Sequence, residues 1–599
     1  MTKKKAASRA SHAQEHDPSS SAQQAEGPHG QGKASRLSRR GFLGGVSGLA
    51  AAACAGGAAV MLEPVVGSRH AQLEASAVGP LTPEQRAQRS FEIRVEMATT
   101  QRNLPIPPHS SNGDEDLFPN KIGNYSKGLP HNQLGEVDVE AYDALLFALS
   151  NGHPEDFEDI PLGCADPSRQ RLLVNPQAGL AFDLEGTDSH QLTIPPAPAF
   201  SSAQAAGEAV ELYWMAHLRD VDFTDYQRSP VVEATTRELS LLSDFRGPKR
   251  GGRVTSQTLF RDNLPGALEG PYLSQFLLKP VPFGAELVER KMRTLRPATE
   301  YVASFDEWLE VQRGCTPGAG DRFDEVRRYV RNGRDLAQWV HVDVLYQAYF
   351  DAALILLTPP DRPDRSTGGG LGAPLNPGNP YVNSRTQTGF GTFGPPHIMT
   401  ILCEVATRAL KAVWCQKWLV HRRLRPEAFG GRVHLRATQQ ANYPVHDDVL
   451  NSQALTLAFS RFGSGLLPQA YPEGSPLHPS YGAGHATVAG ACVTVLKAMF
   501  DENFLVPSPV VANPGGRRLA PYRGADAGSL TVGGELNKLA SNVASGRNMA
   551  GIHWRSDGIE SLMLGEAVAI SVLRDQRATF NEALAGFTFT KFDGTPITV

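Results

Sequence analysis

The sequence predicts a mainly α-helical protein with its functional site in a C-terminal helical bundle. Three observations carry this. Apolar residues recur at three- and four-residue spacing over most of the chain, strict two-residue alternation is scarce, and at least four long helical patterns follow residue 396. A chain of 599 residues exceeds one ordinary core, so more than one folding unit is expected. Hydrophobic residues make up 41% and charged residues 20%, and the net charge is −4. That is a globular composition without a basic stripe, and it excludes nucleic acid as a partner.

The first 36 residues are polar and low in complexity. They lead into "SRRGFLGGVSGLAAAACAGGAAVML", where Arg39 and Arg40 stand directly before an Ala/Gly-rich apolar run. This is the pattern of a twin-arginine export signal, with a periplasmic or extracellular destination. The run is too weakly hydrophobic to predict a stable membrane anchor, and "EASAV" offers a cleavage site after Ala77. Three regions are expected: a tail plus signal over 1–77, an N-terminal helical region over 78–370, and a C-terminal helical region over 371–599. The remaining cysteines, Cys164, Cys315, Cys403, Cys415 and Cys492, are odd in number with no CxxC, which excludes a zinc cluster and a dense disulfide framework.

Helical periodicity marks "VDVEAYDALLFALS", "AGEAVELYWMAHLRD", "VVEATTRELSLLS" and "LAQWVHVDVLYQAYFDAALILL" in the first half. A Pro/Gly/Asn/Ser-rich break over 358–396 is too long for a turn and is placed to fold over a site. Beyond it lie "HIMTILCEVATRALKAVWCQKWLVHRRL", "HATVAGACVTVLKAMFDENF", "GELNKLASNVASGRNMA" and "DGIESLMLGEAVAISVLRDQ". Four such helices can hold a site in a bundle core.

Three short segments concentrate the chemistry. In "KWLVHRRLRPEAFGG", Lys417 and Arg425 are eight apart and are expected on one helical face, with Pro426 ending the helix and leaving Arg425 free to meet an anion. In "HPSYGAGHATVAG", Gly482 and Gly484 permit backbone conformations closed to other residues, and a helix starting near His485 offers free N–H groups to an anion. In "SGRNMAGIHWRSDG", Arg547 and His553 flank Gly551, and Asp557 lies four after His553, where it could orient the imidazole. Each residue alone is more often a cap or a surface group. Together, two arginines, a lysine, a glycine-rich helix start and two or three histidines describe a site for a compact oxyanion, because guanidinium groups donate paired hydrogen bonds to such oxygens.

These segments resemble the vanadium-dependent haloperoxidases, which share an anion pocket with the acid phosphatases of the PAP2 type. The pattern K-x7-R-P, then P-S-x-G-x-G-H, then G-R-x5-H is met by Lys417, Arg425-Pro426, "PSYGAGH" and "GRNMAGIH". The phrases "VHRRLRPEAFGG" and "GRNMAGIHWRSD" are most similar to the bromoperoxidases of red algae and cyanobacteria. The resemblance is specific over residues 386–580. It implies helical bundles of the haloperoxidase/PAP2 type and a vanadate cofactor bonded to His553. It also implies oxygen contacts from Lys417, Arg425, Arg547 and the Gly484 N–H, with His485, Lys417 and His478 serving catalysis. The implied activity is oxidation of bromide or iodide, with chloride open, by hydrogen peroxide, giving hypohalous acid that halogenates small organic substrates. A homo-oligomer, dimer or larger, is implied too. Phosphomonoester hydrolysis, with His553 as nucleophile, and a degenerate oxyanion-binding protein are the alternatives.

One position departs from the family pattern. Ala483 stands where the family has a serine, and Ser480 is a potential substitute for the lost hydroxyl. Trp414, three before Lys417, is either an apolar wall beside the halide or ordinary helix packing.

Overall fold

The computed structural model describes residues 80–360 and 370–599, all within one compact unit spanning Val65–Val599. The twin-arginine segment and the expected cleavage site lie outside the described residues. Among the described residues there are seventeen α-helices and four two-stranded antiparallel sheets, so the expected helical class holds. No helix among them is long and apolar enough to cross a membrane.

The helix Gly484–Met499 is the axis of the larger core. Every residue except His485 is buried, in keeping with a sequence made mostly of small and apolar residues. It packs against Pro395–Cys415, Val532–Met549 and Arg555–Arg577. Glycines set the closest crossing. A Cβ on Gly490 would sit 2.1 Å from the Leu562 carbonyl oxygen, and one on Gly565 would sit 2.0 Å from that of Thr487. The two backbones approach because neither carries a side chain there.

A second core is built on Ala203–Leu218, which packs against Pro230–Leu241 and Gln453–Phe462 and shares its cluster with Phe429, Val433 and Trp554. Both cores draw side chains from each side of residue 370: Leu336 to Leu356 join the first, and Phe429 to Tyr471 join the second. A disulfide joins Cys164 to Cys315 across a sequence separation of 151.

Two expectations about connections change. "LAQWVHVDVLYQAYFDAALILL" is not one helix but two, Gly333–Trp339 and Gln347–Leu357. The apolar period runs on through a turn at 340–346, where Val342 and Val344 face water instead of the core. The described part of the 358–396 break does not cover the site. Asn376 bonds the Met499 and Lys497 carbonyls, and Tyr381 and Thr392 bond Glu582. It therefore packs at the C-terminal end of the Gly484–Met499 helix, about 22 Å along the axis from Gly484.

Candidate active site

Lys417 does not share a helical face with Arg425. The Pro395–Cys415 helix widens into a π-helical turn over Gln416–His421 and breaks at Arg422, whose φ is +38°. Such turns recur at functional sites. Pro426 opens the next helix at its first position, and Arg425 is its N-cap in the extended conformation that precedes proline (φ −77°, ψ 152°). The loop between brings the two cations together.

Lys417 is fully buried, and its Nζ donates to the carbonyls of Pro479 (2.8 Å) and Ser480 (3.0 Å). Arg425 links all three segments. Its Nε donates to His478 O, one terminal nitrogen donates to Ile552 O and His553 Nε2, and the other donates to His478 Nδ1, each at 2.9 Å. Arg547, in the last turn of Val532–Met549, donates to Val340 O at 2.7 Å, while its Nε is buried without a partner.

Gly484 is the first residue of its helix and Ala483 the N-cap, with no side-chain capping bond. The two glycines are there for close packing rather than for left-handed backbone. A Cβ on Gly482 would lie 2.1 Å from the Ser561 hydroxyl, and one on Gly484 would lie 3.1 Å from the Trp414 ring. Gly551 does bend the chain, at φ +86°. Ser480 is committed elsewhere: its hydroxyl donates to Asp557, so it does not stand in for the missing serine.

Asp557 orients His553, but from a capping position rather than from a shared helical face. The helix Arg555–Arg577 starts after His553, and Asp557 in its first turn accepts from Trp554 N (3.1 Å) and from His553 Nδ1 (2.9 Å). Its other oxygen accepts from Arg423, which also bonds Glu208. Asp557 accepts the Nδ1–H hydrogen bond and Arg425, which can only donate, faces Nε2. The lone pair of His553 is therefore on Nε2.

Sequence reasoning missed Asp343, Val340 and Arg423. Asp343 Oδ1 lies 3.0 Å from His485 Nε2. It sits in the turn that helical periodicity hides, and no motif marks it. The site is thus completed by residues from before the 358–396 break.

Positive charge dominates the electrostatics. Burial pushes the Lys417 ammonium well below its usual range, and Arg425 beside it pushes the same way. Burial also lowers Arg425 itself, opposed first by the attraction of Asp557, while Arg547 adds a smaller repulsion. His553 is held neutral by burial and then by Arg425, Lys417 and Arg547, and His478 by burial, Lys417 and Arg425. His485 is lowered by burial and Arg547, against the opposing pull of Asp343.

The side chains of Lys417, Arg425 and Arg547 bond carbonyls and histidine nitrogens, not carboxylates. Three buried cations without ion-pair partners among the described residues are costly unless an anion joins them. Together with the unpartnered Arg547 Nε, the uncapped helix start and the Nε2 lone pair, they fit a tetrahedral oxyanion whose central atom accepts a nitrogen ligand. Trp414 borders this space. Its ring centroid is 4.9 Å from that of His478, and the Lys417 ammonium is 5.7 Å from it.

Fold and site together define a helical oxyanion-binding enzyme. A family profile for the VCPO second helical-bundle domain matches residues 455–582. The chain is 34% identical over 605 residues to the vanadium-dependent bromoperoxidase of Corallina pilulifera, covering 86% of this chain and 99% of that one. It is 36% identical over 538 residues to that of Ascophyllum nodosum, covering 86% and 92%. A homohexameric vanadate-dependent bromoperoxidase from Ascophyllum nodosum superposes with a TM-score of 0.81 at 32% identity, covering 87% of this chain and 91% of that one. The chain belongs to the vanadium-dependent bromoperoxidase family.

Proposed function

We propose that this enzyme binds vanadate in the Lys417–Arg425–Arg547–His553 cradle and oxidises bromide and iodide with hydrogen peroxide. The product is hypohalous acid, which halogenates small organic substrates. The observation that carries the reading is the gathering of three buried cations that form no ion pair among the described residues around His553, whose Nε2 lone pair accepts from Arg425. The match over nearly the full length of bromoperoxidases favours halide oxidation over phosphomonoester hydrolysis.

Bound vanadate supplies a Lewis-acidic centre that activates peroxide toward halide without changing its own oxidation state. His553 Nε2 would hold the metal, with Asp557 keeping its tautomer fixed. Lys417, Arg425, Arg547 and the Gly484 N–H would hold the oxygens and stabilise their negative charge. His485 donates Nε2–H to Asp343, which leaves Nδ1 to take the peroxide proton. His478, fixed by Arg425 and packed on Trp414, borders the place where halide approaches.

Export by the twin-arginine route belongs to the same reading. The Cys164–Cys315 disulfide supports it, because such bonds persist in oxidising compartments. Retention of an Arg39→Lys/Arg40→Lys variant inside the cell tests it. A homo-oligomer is supported by the homohexameric relative, and light scattering tests it. The activity is tested by bromide-dependent bromination with and without vanadate, beside hydrolysis of an aryl phosphate. Hydrolysis alone would overturn the assignment.

A further inference from the structure

Arg547 is the least anchored of the three cradle cations. Among the described residues its side chain makes one hydrogen bond, to Val340 O at 2.7 Å, and its buried Nε has no acceptor. An arginine loses much rotamer freedom when it is fixed, so a site that needs it in one place must confine it by packing. Tyr471 supplies that packing. Its ring is buried, its hydroxyl donates to Ala337 O at 2.6 Å, and its centroid lies 5.8 Å from the Arg547 guanidinium carbon. That is within the range of a cation–π contact.

Both restraints lead to His341. It follows Val340 directly in the chain, and its imidazole stacks on the Tyr471 ring, with centroids 3.7 Å apart and planes 8° from parallel. The imidazole is pinned in turn, because its Nε2 lies 2.6 Å from Glu473 Oε1. The Glu473 carbonyl accepts from Lys127 at 3.0 Å and from Arg171 at 3.2 Å, and Lys127 is itself buried and paired with Glu427 at 2.8 Å. One side chain therefore locks the turn after Gly333–Trp339 onto the segment 471–478, which carries His478.

We propose that His341 is a positioning residue for the bound anion: by stacking on Tyr471 and steadying the Val340 carbonyl, it fixes the Arg547 guanidinium where a vanadate oxygen binds. The proposal rests on vanadate binding in the cradle, as argued above. The His341 imidazole makes no hydrogen bond to Lys417, Arg425, His485 or His553 among the described residues, so its effect on the anion passes through Arg547.

The test is equilibrium titration of the metal-free protein with orthovanadate, and separately with inorganic phosphate, so that it reads binding rather than turnover. His341→Leu fills the space without a flat ring and should bind vanadate about tenfold more weakly. His341→Phe returns an aromatic ring to Tyr471 and should recover most of that loss. In an Arg547→Ala background His341→Leu should cost nothing further, because the group it positions is gone. His341→Ala provides the same comparison should the leucine variant not fold. The proposal is overturned if His341→Leu binds vanadate as the parent protein does, or if phenylalanine is no better than leucine. It is also overturned if the losses from His341→Leu and Arg547→Ala multiply, which would make His341 a residue of the general fold. Failure of the parent protein to bind either anion would instead sink the cradle itself, and this proposal with it.

Discussion

His553 Nδ1 and Asp557 Oδ2 lie 2.9 Å apart, and that contact fixes the imidazole lone pair on Nε2, where Arg425 donates. The same carboxylate holds Trp554 N, the Ser480 hydroxyl and Arg423. Asp557→Ala would release the tautomer and leave the buried Arg423 short of a partner. We expect it to cost about 3 kcal/mol of stability and to weaken vanadate binding, checked by denaturant titration and by vanadate titration. Unchanged stability would mean that Glu208 alone satisfies Arg423.

Ala483 leaves the Gly484–Met499 helix without a side-chain cap. A serine there should add about 1 kcal/mol of stability without vanadate by capping the helix. It should also tighten vanadate binding about tenfold or more if the hydroxyl turns to the charged anion. Calorimetry of the apoprotein and vanadate titration separate the two effects. Equal or weaker affinity would show that the space beside Ala483 does not face the anion.

His485 titrates below the usual imidazole range because burial and Arg547 both disfavour its charged form, while Asp343 opposes them. It is thus neutral at pH 7 and remains a base as the pH falls below its ordinary value. Asp343→Asn removes the one opposing charge, so the His485 pKa should fall further. The acid limb of the pH profile of kcat/KM for peroxide should then move to lower pH. A shift to higher pH would mean that another group controls that limb.

Lys417, Arg425 and Arg547 repel one another across the cradle, so an oxyanion should stabilise the fold as well as fill the site. At about one hundred times its dissociation constant, vanadate should add about 2.7 kcal/mol. Thermal unfolding with and without vanadate measures this, and His553→Ala should abolish most of the gain. An equal gain in that variant would place the bound anion elsewhere.

The motif residues were legible because their types and spacing encode the chemistry: Lys417, Arg425, Gly484, His485, Arg547 and His553 all border one space. How they meet was not. Lys417 and Arg425 converge through a π-helical turn and a break at Arg422, since proline at 426 starts a helix as readily as it ends one. Asp343 was hidden because hydrophobic periodicity continued through a turn whose valines face water. Periodicity records apolar spacing and cannot say what an apolar residue faces.

Titration of metal-free protein with orthovanadate, following bromide oxidation by peroxide at each step, tests the central claim most directly. We predict activity rising in proportion to bound vanadate and saturating at one equivalent per chain, with phosphate competing and His553→Ala inactive throughout. Bromide oxidation at full rate without vanadate, or undiminished in His553→Ala, would contradict the account.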